Sequence, residues 1–156
     1  MADVKVEAPE NSQNIIMHVT VNAPLSKVYQ AYSDPALLRQ WWAAGEPVTI
    51  DYFEAGEGGK WRFLTAGEDG RAEDNFRGCI HTVMPEKLLI QTFEWEGMPG
   101  YVALEAAAFE DQGDTTQVTI TQTHQSVQAR DGMVGSGMEG GFRKSIDALE
   151  RLINEA

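Results

Sequence analysis

The sequence has little cysteine, no long apolar run and no signal peptide. Cys79 is the only cysteine among 156 residues, so an internal disulfide is excluded and a reducing cytosol is the expected location. No apolar run approaches the roughly 20 residues that a membrane-spanning helix needs. The first residues also lack the apolar core of a signal peptide. These absences predict a cytoplasmic protein that does not insert into membranes.

Positive charge is also scarce. Twelve basic residues stand against twenty-four acidic ones, which gives a net charge of −12. Non-specific nucleic-acid binding needs clustered Lys and Arg, so a nucleic-acid partner is not expected. A neutral or cationic small molecule or a basic protein surface remains compatible with this charge. A homodimer is left open as well.

The common signatures of metal and cofactor sites are missing. The histidines His18, His81 and His124 are far apart, and no H-x-x-x-H or C-x-x-C pattern occurs, so no metal is expected. Residues 135–140 match G-x-G-x-x-G, but no strand directly precedes them and no second βα unit follows. A dinucleotide site is therefore rejected, and we expect no cofactor.

The order of predicted elements is typical of a single α+β domain. One alternating strand at 15–21 precedes two short helices, which Pro24 and Asp34-Pro35 begin. Six strands follow, with a hairpin turn at 68–71, and a loop over 125–135 leads to the last helix. We expect residues 1–13 to be a mobile lead-in or an edge strand. Residues 14–156 are expected to form one antiparallel domain.

The C-terminal helix, predicted over residues 136–154, carries two stripes. The bulky stripe contains Met138, Phe142, Ile146, Leu149 and Ile153, and the small stripe contains Gly137, Gly141, Ser145 and Ala148. Ser136 and Glu139 fit a capping box at its start. A helix of this kind can cover a sheet at one end and leave room beneath it at the other.

Several motifs in this order resemble the START-like, or SRPBCC, superfamily. The branch they resemble is the one related to the C-terminal domain of the activator of the heat-shock-protein-90 ATPase. The resemblance covers roughly residues 14–154. Its motifs are Ala23-Pro24 with Val28, Asp34-Pro35 through Trp41-Trp42, Gly58-Gly59-Lys60-Trp61-Arg62, Phe76-Arg77-Gly78, Met84-Pro85-Glu86-Lys87-Leu88, Thr115 through His124, and Gly141-Phe142 with Leu149. Where this chain has Phe142, the family often has Trp, so any contact of that indole N–H is lost here.

The resemblance implies a helix-grip fold, in which a curved seven-stranded antiparallel sheet holds a long C-terminal helix over a cavity. Because pockets for small molecules are concave and rich in rings, we expect a small, mostly apolar guest between sheet and helix. The candidate ligand-binding residues are Trp41, Trp42, Phe53, Trp61, Phe63, Phe76, Gly78, Phe93, Trp95, His124, Met138, Gly141 and Phe142. Gly78 is expected to leave a dent in the sheet floor.

Polar residues leave two alternatives open. A cyclase or hydratase of this fold would place His124, or a Glu or Tyr, inside the cavity as a general base, although no catalytic triad is visible. A chaperone-activator-like domain would instead use its outer surface to bind a protein.

Glu94 and Glu96 are interpreted as solvated charges, and Glu105, if it points inward, needs a partner such as Arg77.

Overall fold

The computed structural model describes residues 2–66 and 72–155, which form one eight-stranded antiparallel sheet with four helices. The predicted hairpin turn at 68–71 lies outside the described residues. In chain order, the elements are β1 (Asp3–Glu7), β2 (Asn14–Val21), α1 (Leu25–Ser33), α2 (Pro35–Trp41), β3 (Val48–Phe53), β4 (Lys60–Ala66), β5 (Ala72–Met84), β6 (Leu88–Trp95), β7 (Val102–Asp111), β8 (Thr116–Thr123), α3 (Val127–Gly135) and α4 (Met138–Glu155).

The sheet runs in the order β1-β2-β8-β7-β6-β5-β4-β3. Seven of its strands are those of the expected helix-grip sheet, and the eighth is β1, which pairs along the outer edge of β2. Register shifts at Ile50/Tyr52 and Ile80/Thr82 interrupt the ladders of β3–β4 and β5–β6. Because such bulges bend a strand and increase its twist, they help to curve the sheet around the helix. The predicted α+β helix-grip fold is confirmed.

The two short helices begin as their prolines predict. Pro24 is the N-cap residue of α1, and the Asp34 side chain caps α2 by accepting a hydrogen bond from the Ala36 N–H at 2.9 Å. Trp41 then anchors α2 to α1, because its buried indole N–H donates to the Ala31 carbonyl at 3.0 Å. This anchor fixes where the next residue, Trp42, enters the space above the sheet.

The prediction of a loop over residues 125–135 is wrong, because most of that segment is helix α3. Its N-cap is Ser126, whose hydroxyl accepts from the Ala129 N–H at 3.0 Å. Of its side chains, only Arg130 is buried, where it donates to the carbonyls of Pro9 and Asn14. Because the buried side chain of α3 is a charged one, the helix has no apolar stripe. Hydrophobic periodicity in the sequence therefore does not predict α3.

The predicted capping box of Ser136 and Glu139 is also wrong. Ser136 ends α3, and its hydroxyl donates to the Met133 carbonyl at 2.6 Å. The chain then turns at Gly137, whose φ of +84° favours glycine, and α4 starts at Met138. Glu139 binds Arg143 one turn later at 3.2 Å, as expected for an i,i+4 pair.

Candidate functional site

A cavity of about 560 Å³ lies between the sheet and the helices. Every strand except β1 contributes to its wall, together with residues of all four helices. Helix α4 changes its role along its length. Met138, Gly141 and Phe142 line the cavity, whereas Ile146 and Leu149 are completely buried in the core. Only the C-terminal part of α4 is therefore packed tightly against the rest of the core.

Gly141 is the glycine that α4 contributes to this wall. A Cβ atom added to it would meet no heavy atom within 4 Å. One turn further along, Ser145 joins α4 to the segment that follows α2. Its hydroxyl accepts from the Ala44 N–H at 2.8 Å and lies 2.9 Å from the Trp42 carbonyl oxygen. These bonds keep the helix in place although the space beside Gly141 is not filled by protein.

Aromatic rings from the helices and the sheet also line the cavity, and Trp42 is at the centre of one group of them. Its ring centroid lies 5.0 Å from that of Phe63 and 5.2 Å from that of Phe76, both edge to face. Trp61 and Phe93 complete the group at 5.8 and 6.1 Å. Such pairs contribute roughly 0.5–1.5 kcal/mol each beyond the area they bury. The rings therefore hold one another in a fixed arrangement around the space.

All but three of the candidate ligand-binding residues lie in the cavity wall. Those in the wall are Trp41, Trp42, Phe53, Trp61, Phe63, Phe76, Phe93, Met138, Gly141 and Phe142, and the three outside it are Gly78, Trp95 and His124.

Each of these three residues contacts a residue of the cavity wall or its polar row instead of lining the cavity itself. Gly78 leaves no open dent, because the Trp61 indole fills the space where its side chain would be, 2.6 Å from an added Cβ. The Trp95 indole N–H donates to the Asp74 carboxylate at 2.9 Å. The Nε2 atom of the buried His124 ring lies 2.7 Å from Gln122 Oε1. Burial, together with the charge of Arg130, lowers the pKa of His124, so its neutral form is favoured.

The sequence did not single out the polar row that crosses the cavity floor. Gln91, Glu105 and Gln122 are directly opposite one another on β6, β7 and β8, and all three line the cavity. Gln122 Nε2 donates to Glu105 Oε2 at 2.7 Å, and Gln122 Oε1 is turned to His124. Glu105 therefore points inward, and its partner is Gln122 rather than Arg77. Burial raises the pKa of the Glu105 carboxyl.

Two further polar atoms in the wall have no hydrogen-bond partner among the described residues. They are the Tyr32 hydroxyl and the Trp61 indole nitrogen, both fully buried. Burial and the nearby Glu105 charge raise the pKa of Tyr32, so the phenol stays protonated. Unsatisfied buried polar atoms are rare in proteins and need an explanation. Here, both atoms belong to residues that a guest in the cavity could touch.

The interpretation of Glu94 and Glu96 as solvated charges is wrong. The Glu94 carboxylate is buried and accepts from Arg77 Nε at 2.7 Å, whereas Glu96 binds Arg62 through both oxygens at 2.7 and 2.9 Å. These hydrogen bonds lower the pKa of both carboxyls. Strand alternation missed the pairing because the two arginines come from other strands, Arg77 from β5 next to β6 and Arg62 from β4 beyond it.

Within residues 2–66 and 72–155, no three His, Cys, Asp or Glu side chains come together in a way that could hold a metal ion. None of the described helices is both long enough and apolar enough to span a bilayer.

A curved sheet gripping a C-terminal helix over a ring-lined cavity defines a START-like, helix-grip protein. The model of the family described as "Activator of Hsp90 ATPase homolog 1-like protein" matches residues 22–154. The chain belongs to this family, and the resemblance seen in the sequence is confirmed.

Solved bacterial structures show the same fold. A protein from Rhodobacter sphaeroides superimposes with a TM-score of 0.88 at 21% identity, over 99% of this chain and 100% of that one. A protein from Arthrobacter aurescens gives 0.87 at 23% identity, over 97% and 92% of the two chains. Protein Ms6760 from Mycobacterium smegmatis gives 0.84 at 20% identity, over 98% and 99%. No curated protein matched the chain.

Proposed function

We propose that the protein binds a small, mostly apolar molecule in the cavity between the sheet and α4. The observation that carries this proposal is the space of about 560 Å³ beside Gly141, which aromatic rings line. Binding sites for small molecules commonly have volumes of roughly 300–1,000 Å³, apolar walls and a few polar groups that orient the guest. The row from Gln91 to Gln122 supplies such groups.

The size of the space argues against a simple packing role for the rings. Protein interiors are close-packed, and voids larger than a few water molecules are uncommon because they cost dispersion energy. A chain that only needed a core could fill this space by replacing Gly141 with a larger residue. Keeping glycine there also costs the helix about 1 kcal/mol relative to alanine. A guest that occupies the space offsets both costs.

A fluorescence titration with the neutral, environment-sensitive dye Nile red tests this proposal. We expect saturable binding of one dye molecule per chain. Gly141→Leu should weaken that binding at least tenfold, because the new side chain enters the cavity. Gly140→Leu is the matched control. Gly140 is the exposed neighbour on the same helix turn, and its added Cβ also meets no atom within 4 Å. Equal dye binding by both variants would place the guest elsewhere and overturn the proposal.

Catalysis is the second candidate, and Glu105 is the observation that favours it. A carboxyl with a raised pKa beside the protonated Tyr32 phenol is a possible acid–base pair inside an apolar site. Comparing the molecules extracted from wild type and from Glu105→Gln separates the candidates. One identical compound in both proteins indicates binding alone, whereas a substrate in the variant and its product in wild type indicates chemistry.

The cytosolic location belongs to the same proposal. Cys79, the single cysteine, is exposed in the structure. An exposed thiol stays reduced in the cytosol, where glutathione and thioredoxin act on it. Cell fractionation that recovers the protein with a periplasmic or secreted marker would contradict this location.

A further inference from the structure

Building on the proposed function, we propose that the guest is an organic cation. It would have an apolar body that packs among the rings and a protonated amine that donates a hydrogen bond to the Glu105 carboxylate.

The charges in the cavity wall all have the same sign. Glu46, Asp74 and Glu105 line the space, and no Lys, Arg or His is among the described residues that do so. Glu46 and Asp74 are exposed, whereas Glu105 lies deeper, within the central polar row. An anionic guest such as a fatty acid would meet three carboxylates without a counter-charge. A cation would be attracted by them and by the net charge of −12 over the whole chain.

Glu105 is held in one orientation by neighbouring side chains. Gln122 Nε2 donates to its Oε2 atom, and the second hydrogen bond of Gln122 to His124 fixes which end of the amide faces the carboxylate. The other oxygen, Oε1, has no hydrogen-bond partner among the described residues. An ionised carboxylate away from water is costly unless an opposite charge accompanies it. A protonated amine on the guest would supply both the charge and the missing donor.

The arginines of β4 and β5 already have carboxylate partners. Arg77 is bound to Glu94 at 2.7 Å, and Arg62 is bound to Glu96 at 2.7 Å and to Asp51 at 3.0 Å. None of these five residues lines the cavity. These arginines therefore neutralise carboxylates outside the cavity, and inside it Glu105 has, among the described residues, only the neutral amide of Gln122 as a partner.

The surrounding rings and the Tyr32 hydroxyl suit the same chemistry. Phe93 lies on the cavity face as a diagonal neighbour of Glu105, two residues along β6 from the opposing Gln91. Aromatic faces attract ammonium groups, and the attraction strengthens where water is excluded. The buried Tyr32 oxygen can accept a second hydrogen bond from the amine. Carboxylate, phenol and rings together resemble the surroundings that proteins build for organic ammonium groups.

Competition against Nile red by three compounds with one body tests this inference. The compounds are phenylbutylamine, phenylbutanol and phenylbutyrate, used near neutral pH. We expect the amine to bind at least about tenfold more tightly than the alcohol, as for a hydrogen bond to a charged group, and the acid to bind most weakly. Equal binding of amine and alcohol would overturn the cation inference and leave the proposed function standing. No displacement by any compound, together with no saturable Nile red binding, would overturn both.

Two variants with the same change in charge test whether the preference for the amine depends on Glu105. Glu105→Gln should remove the preference for the amine over the alcohol. Glu110→Gln should keep the preference. Glu110 is an exposed residue of the same strand and does not line the cavity. A preference that survives Glu105→Gln would overturn the assignment to Glu105, and a preference lost equally in both variants would show an effect of overall charge alone.

Discussion

A larger side chain at Gly141 should fill part of the cavity. We expect it to raise the free energy of unfolding and to prevent the guest from binding. Replacing Gly140 or Gly141 by leucine removes the same backbone freedom, which stabilises a helix by about 0.8 kcal/mol at either position. At Gly140 the new side chain is exposed, and this gain is nearly all that is expected. At Gly141 the side chain also buries apolar surface among rings, which adds about 1.5–3 kcal/mol.

The predicted free energies of unfolding therefore separate the two variants. In the absence of any ligand, Gly140→Leu should gain about 0.5–1 kcal/mol and Gly141→Leu about 2–4 kcal/mol. Urea denaturation followed by circular dichroism measures both, provided that the slope of the transition stays unchanged. A Gly141→Leu variant that is less stable than wild type would refute the reasoning. That result would mean that the leucine collides with packed atoms and that the space beside α4 is not available.

Three further variants test the polar contacts of the wall and the outer sheet. Glu105→Gln should be more stable than wild type at neutral pH. The raised pKa of Glu105 means that its ionisation penalises folding above the unfolded value of 4.5, so the difference should fade in urea melts below that pH. Ser145→Ala should lose about 1–2 kcal/mol in the same assay, because the Ala44 N–H loses its acceptor, and an unchanged stability would refute that role. Glu94→Gln should be less stable at neutral pH, because Arg77 holds the pKa of Glu94 below 4.5. That contribution is lost as pH falls through the lowered pKa, and a deficit that persists in strong acid would contradict it.

The sequence predicted the fold well because its signals are local and repeated. Strand alternation, the prolines that begin α1 and α2, and the apolar stripe of α4 each depend on near neighbours in the chain. The split along α4 was also visible, since Gly141 and Ser145 accompany the stripe where it borders the cavity. Helix α3 was missed because its single buried side chain, Arg130, binds backbone atoms more than a hundred residues away.

The cavity floor was harder to predict because it depends on strand register. The strand around Glu105 has alanine on both faces, at Ala103 and Ala107 on one side and Ala106 and Ala108 on the other, so alternation does not orient it. Gln122 could be recognised as the partner of Glu105 only once β7 and β8 were aligned.

Native mass spectrometry of the purified protein, before and after incubation with excess Nile red, is the most direct test of the central claim that a guest occupies this cavity. The account predicts one small molecule per chain in wild type and in Gly140→Leu, and none in Gly141→Leu. Wild-type protein that shows only the mass of its polypeptide under both conditions, or a Gly141→Leu variant that carries the guest as wild type does, would contradict it.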